Sequence, residues 1–279
     1  MTGPLPQFEN PPVIEVVLSV QFEPIEPIHR GYIGLLWNEY RERYPTVEEY
    51  PPLGQTIEKF GIPKPPKEIT VEVKTTTTPP SRIWFKNEAG NGLIQIQNDR
   101  FIFNWIKSDD DSEYPRYEAV YKCFKEEFGI FQKFLNRENL GGIIPNQCEV
   151  TYINNILGDA VWTDLSQVER FLTVFNPEYS DSFLGAPENV NFATRYIIPD
   201  DSGDPIGRLH ISVEPRYRRR DSLPLYVMTL TARGMSKTEG IDGAFEFMDI
   251  GHEWIVHGFA SITTKAMHSE VWRRIENGS

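Results

Sequence analysis

The chain has 279 residues, with 28 Lys and Arg against 40 Asp and Glu, for a formal net charge of −12. That charge and 13% aromatic residues describe a folded globular protein able to bury a sizeable core. They exclude global disorder and disfavour adhesion to bulk nucleic acid or anionic lipid. No apolar run approaches the roughly 18–20 residues of a membrane helix, the amino-terminal stretch lacks the pattern of a secretory signal, and Cys123 and Cys148 make neither a disulfide framework nor a zinc set. A cytoplasmic protein without membrane partner, metal or other cofactor is expected.

The 22 prolines cluster at Pro11–Pro12, Pro51–Pro52, Pro63–Pro66 and Pro79–Pro80. Proline donates no ladder hydrogen bond and resists helix interiors, so these clusters are read as punctuation between elements. Val13–Phe22 reads as a strand. His29–Tyr44 reads as a helix carrying Ile33, Leu36, Trp37, Tyr40 and Tyr44 on one stripe. Glu68–Lys74 alternates as a half-exposed strand. Arg82–Asn87 and Leu93–Lys107 form a hairpin about Gly90-Asn91-Gly92, the second arm bending near Asn98-Asp99. The acidic run Asp109–Glu113 precedes a helix over Tyr114–Leu135, whose Tyr117, Val120, Tyr121, Phe124, Phe128, Phe131 and Leu135 recur at three- and four-residue spacing.

The second part repeats this order. Cys148–Leu157 reads as a strand and Asp164–Phe175 as a short helix. Val190–Ile198, Ile206–Tyr217 and Leu225–Arg233 read as three strands, and a long helix runs from about Ile241 to Ser269. The expected fold is therefore α+β: two similar strand–helix–three-strand–helix halves, residues 1–145 and 146–279, sharing a largely antiparallel sheet with helices on one face. The pair Glu15-Val16 recurs as Glu149-Val150.

Two constellations invite chemistry. His252-Glu253-Trp254-Ile255-Val256-His257 approaches a zinc-protease motif, but its histidines are five residues apart. On a helix that separates them by about 140°, so they cannot converge on one ion. His252 also falls on the apolar stripe Phe245, Met248, Ile255, Phe259, Ile262 and reads as a core or interface histidine. His268 is placed near the end of the helix, where the dipole favours a charged imidazole. The second constellation is Arg216-Tyr217-Arg218-Arg219-Arg220, with Arg208 and His210 upstream on the same strand. Guanidinium forks suit phosphate, and a tyrosine stacks on a base. The plainer reading is a hairpin end paired with Glu214 and Asp221, or a patch for an acidic protein partner. No nucleophile elbow, Walker loop or dinucleotide fingerprint occurs, so no catalytic residue is assigned. Glu15 and Glu149 read as acids on the solvent face of strands.

The opening Asn10-Pro11-Pro12-Val13-Ile14-Glu15-Val16-Val17, with Gln21-Phe22, resembles that of a sporadically distributed bacterial family of uncharacterised proteins that begin N-P-P-x-x-E. The closing Ala244–Trp272, with its histidines, Ile-Thr pair and terminal Trp, is similar to theirs. The resemblance implies no catalytic position. It implies a setting among anti-phage defence or toxin–antitoxin cargo. Together these readings lead to a non-enzymatic binding or accessory protein that acts through a protein partner. The alternative is a sensor or enzyme holding a nucleotide or phosphorylated ligand on the 216–220 arginines.

Overall fold

A computed structural model describes residues 4–25, 28, 30–61, 81–109, 112–158, 161–176 and 183–275. The strand expected over Glu68–Lys74 lies outside them. In chain order the elements are β1 (Gln7–Phe8), β2 (Val13–Phe22), α1 (Arg30–Tyr40), β3 (Thr46–Tyr50), β4 (Arg82–Lys86), β5 (Gly92–Gln97), β6 (Arg100–Ile106) and α2 (Tyr117–Arg137). They continue with β7 (Pro145–Leu157), β8 (Phe192–Pro199), β9 (Pro205–Tyr217), β10 (Pro224–Gly234), α3 (Gly240–Ile262) and β11 (Arg274–Ile275).

Nine strands form one antiparallel sheet in the order β3-β4-β5-β6-β2-β7-β10-β9-β8, while β1 and β11 pair separately. The fold is α+β, as the alternation of apolar strands and amphipathic helices requires. The two central strands, β2 and β7, are the first long strand of each half. From this seam β6, β5 and β4 continue outward on one side, and β10, β9 and β8 on the other. β3 is an additional edge strand that the sequence pattern did not reveal, because Thr46–Tyr50 carries two glutamates and little apolar alternation.

Side chains of a strand alternate between faces, and one parity packs beneath the helices. Val16, Leu18, Val20 and Phe22 of β2 and Phe101 and Phe103 of β6 are buried. Phe101 meets Phe124, Phe128 and Phe131 of α2 at ring distances of 5.3–6.0 Å. The whole stripe expected on α2 is buried, and Glu127 with it. Its Oε1 accepts from Arg43 at 2.7 Å and Tyr44 at 3.1 Å, while its Oε2 is buried with no hydrogen-bond partner among the described residues, and burial raises the carboxyl's pKa. On the other half α3 crosses β7, β10 and β9 closely, since Gly207 and Gly234 face each other across β9 and β10 and Phe247 lies over both.

Three expected helices are shortened. The first, α1, stops at Tyr40, and residues 41–43 form a turn that leaves Tyr44 buried but outside the helix. Asp164–Phe175 contains only the 3-10 turn Val168–Arg170. Gln167 accepts from the Thr163 and Asp164 N–H groups, and Val168, Phe171 and Leu172 are buried with Trp162 against Tyr226. The segment is a plug and not a layer. The long closing helix ends at Ile262, because Thr263 adopts extended backbone (φ −103°, ψ 153°) and bridges to Leu172. A π-helical turn, Met267–Val271, follows. Within it His268 is buried, meets Thr263 Oγ1 at 2.7 Å, and has its pKa lowered by desolvation. It is therefore a neutral packed imidazole, where a charged helix-end residue was expected.

Candidate binding surface on the open face of the sheet

The other parity of the sheet faces away from the helices and is strongly polar. Registers place Gln97 opposite Arg100, Arg100 opposite Gln21, and Gln21 opposite Gln147, a single row across β5, β6, β2 and β7. Two residues further along β7, Glu149 stands opposite Arg233, which stands opposite Arg208, so a second row crosses β7, β10 and β9. No short-range sequence pattern connects these residues. Only the register brings positions 21, 97, 100 and 147 together.

Across these rows lies the chain's own segment 53–60, which follows β3. The Leu53 N–H donates to Gln97 Oε1 at 2.8 Å, and Gln97 Nε2 returns a bond to the Leu53 carbonyl at 2.9 Å. Arg100 donates to the Gly54 carbonyl at 3.0 Å. The Thr56 N–H donates to Gln21 Oε1 at 3.0 Å and the Glu58 N–H to Gln147 Oε1 at 2.7 Å. The segment therefore visits β5, β6, β2 and β7 in their spatial order. Six adjacent strands span about 24 Å between the first and last axes at ~4.8 Å each. Seven steps of extended chain at ~3.4 Å cover the same length. The strap is not a tenth strand: it runs across the strands, and its backbone bonds are made to side chains.

Its far end is an ionic anchor. The Glu58 carboxylate, whose side chain is 4% exposed, pairs with Arg208, with His210 Nε2 at 2.7 Å and with Arg233 at 3.5 Å. Arg208 also donates to the Lys59 carbonyl at 2.8 Å, and its guanidinium stands 4.4 Å from the Phe60 ring centroid. The surrounding cations outweigh the burial cost, so the Glu58 pKa is lowered. Burial is the larger influence on His210 and lowers its pKa against the pull of Glu58. Arg233 is shared with Glu149 at 2.6 Å.

The structure divides the arginine constellation read from the sequence. Arg208 and His210 bind Glu58. Arg216 lies eight residues further along β9, about 27 Å away at ~3.4 Å per residue. It pairs with Glu214, while Arg218 and Arg220 pair with Asp221. Tyr217 is exposed, and Arg219 occupies the same turn region after β9. Glu15 and Glu149 lie on the open face but apart: Glu15 is opposite Ile153 and meets Asn104, whereas Glu149 is opposite Ser19.

The histidines of α3 also separate. His252 stacks on Tyr117 at 3.9 Å and meets Tyr152 OH through Nδ1 at 2.9 Å; Tyr152 OH in turn meets Tyr114 OH at 2.9 Å. This chain borders a cleft of about 190 Å³ that Leu5–Phe8 helps to line. Burial raises the pKa of all three tyrosines and lowers that of His252 to about 4. Every member is neutral at pH 7, so the network locks α2 and α3 onto β7 and supplies no charged base. His257 lines another cavity with Tyr196 and Trp254, and Glu253 borders the openings on both sides. No group of three or more His, Cys, Asp or Glu among the described residues is arranged to hold a metal ion. Among those residues no helix is long and apolar enough to cross a membrane.

No family model, curated protein or solved structure matches the chain.

Proposed function

We propose that this chain is a non-enzymatic binding protein that acts through a protein partner, and that the open face of its sheet is where an extended polypeptide is held. One observation carries the reading: the face already grips a polypeptide, residues 53–60, by its backbone. Side-chain amides that donate to and accept from a peptide backbone hold an extended chain without requiring a particular side chain at every position. The half-buried Arg208 and Arg233 at one end add a charge-assisted anchor and fix the register. A role as an accessory component of bacterial anti-phage defence or toxin–antitoxin systems rests on the resemblance of the opening and closing segments, and is proposed on that basis only.

The test is affinity purification from the native host, with a photo-crosslinking amino acid at Ser212 on the open face and, as control, at Lys133 on the exposed side of α2. The expected result is a stoichiometric protein crosslinked from Ser212 and not from Lys133. Absence of a stoichiometric partner, or crosslinks confined to the helical side, contradicts the reading.

A further inference from the structure

The strap contains a description of what the face accepts. Leu53, Glu58 and Phe60 are sheltered, whereas Gln55, Thr56, Ile57 and Lys59 are exposed. The sheltered carboxylate lies among two guanidinium groups and an imidazole. Resting on the reading above, we propose that residues 53–60 are a self-ligand. The face's other occupant is then an extended peptide of a second protein, with a carboxylate side chain five residues after an aliphatic one and two before an aromatic one, and it displaces the strap.

The hydrogen-bond directions select the ligand class. Gln97, Gln21 and Gln147 each present Oε1 to a backbone N–H. A phosphodiester backbone has acceptors and no such donors, so a nucleic acid leaves Gln97 and Gln147 Oε1 unanswered, with Gln21 Oε1 met only by Arg100, and a polypeptide answers all three at every second or third residue. The cradle selects the anchor. With Glu58 withdrawn, Arg208 and Arg233 would face each other across β9 and β10 with Glu149 as the neighbouring acid. Like charges on directly opposed residues repel, which favours refilling by an anion. Because the strap is tethered directly behind β3, its effective concentration at the face is in the millimolar range. A competing peptide therefore meets a masked site.

A fluorescent peptide of residues 51–61 is titrated into three full-length proteins: wild type, a variant with 53–60 replaced by alternating Gly and Ser, and Glu58→Lys. Should the replacement fail to fold, Glu58→Lys carries the test. The expected result is saturable binding to the variants at least tenfold tighter than to wild type, and at least a tenfold loss when the peptide carries Glu58→Ala. Charge-assisted bonds have that magnitude. Three outcomes overturn the proposal: no saturable binding to either variant, equal binding of the Glu58→Ala peptide, or tighter binding of a single-stranded oligonucleotide or of a peptide with phosphoserine at position 58. Peptide binding without a partner in the host contradicts the function proposed above and the second-protein occupant with it, and leaves standing the assignment of residues 53–60 as a displaceable self-ligand. A crosslinked partner without peptide binding does the reverse.

Discussion

Replacing Glu58 with Ala is the perturbation that bears most directly on how the strap is held. The carboxylate accepts from Arg208 and His210 and lies 3.5 Å from Arg233. Hydrogen bonds to a charged group contribute roughly 1.5–3 kcal/mol each. The full sum is not expected, because Arg208, His210 and Arg233 keep 17–23% of their side-chain surface and rehydrate when the acid is removed. A loss of about 2–3 kcal/mol from the docking of the strap follows. Since about 1.4 kcal/mol is tenfold, the amides at positions 56 and 58, bonded to Gln21 and Gln147, should exchange with deuterium roughly 30- to 140-fold faster. Amides of β2 and β7 should change little, because the ladder beneath is untouched. Native-state exchange read by NMR separates the two sets. Unchanged exchange at positions 56 and 58, or equal acceleration throughout β2 and β7, would refute the assignment of Glu58 as a local anchor.

Three further outcomes are expected. Gly234→Ala places a Cβ 2.3 Å from the Ile206 carbonyl oxygen and 2.5 Å from the Phe247 ring, so urea unfolding should show a loss of about 3 kcal/mol, and a loss under 1 would contradict the packing described. His252, with its pKa lowered to about 4 from 6.5, binds its proton more readily in the unfolded chain. Its contribution to stability is therefore full above pH 6.5 and lost as pH falls towards 4. Wild type should lose about 2–3 kcal/mol more than His252→Gln between pH 7 and 4.5, and parallel curves would contradict burial of a neutral imidazole. Changing Arg216, Arg218, Arg219 and Arg220 together to Ala should alter stability by under ~1 kcal/mol, since their ion pairs are on the surface. The same variant should keep the exchange protection of Thr56 and Glu58, and its loss would place the arginine turn within the strap site.

The parts of the fold legible in the sequence were those encoded by local periodicity. The α2 stripe from Tyr117 to Leu135 is buried throughout, and the apolar strands appear close to their expected bounds. Where a backbone departure depends on a distant partner, local pattern was insufficient. Thr263 continues an apolar helical stripe, yet it turns to bridge Leu172, ninety-one residues away in sequence. The site was least legible because it is a matter of register. Gln21, Gln97, Arg100 and Gln147 look like ordinary strand polar residues, and only the pairing of β5, β6, β2 and β7 aligns them. Arg208 and His210 were recognisable as unusual, but their spacing in the chain associated them with the arginine turn. Their true counter-ion is 150 residues upstream. Pro51–Pro52 reads in the sequence as punctuation alone, and it stands immediately before the strap.

The most direct test of the central claim is to locate the peptide of residues 51–61, carrying photo-leucine at position 53, whose native leucine is sheltered against the face, on the full-length variant whose own strap is replaced by Gly and Ser. After irradiation and digestion, mass spectrometry identifies the attachment sites. Adducts on open-face positions of β5 and β6, beside Gln97 and Arg100, are predicted, lost when excess unlabelled peptide is added. Adducts confined to the helical side, or none that competitor removes, would contradict the claim that this face is built to hold an extended polypeptide.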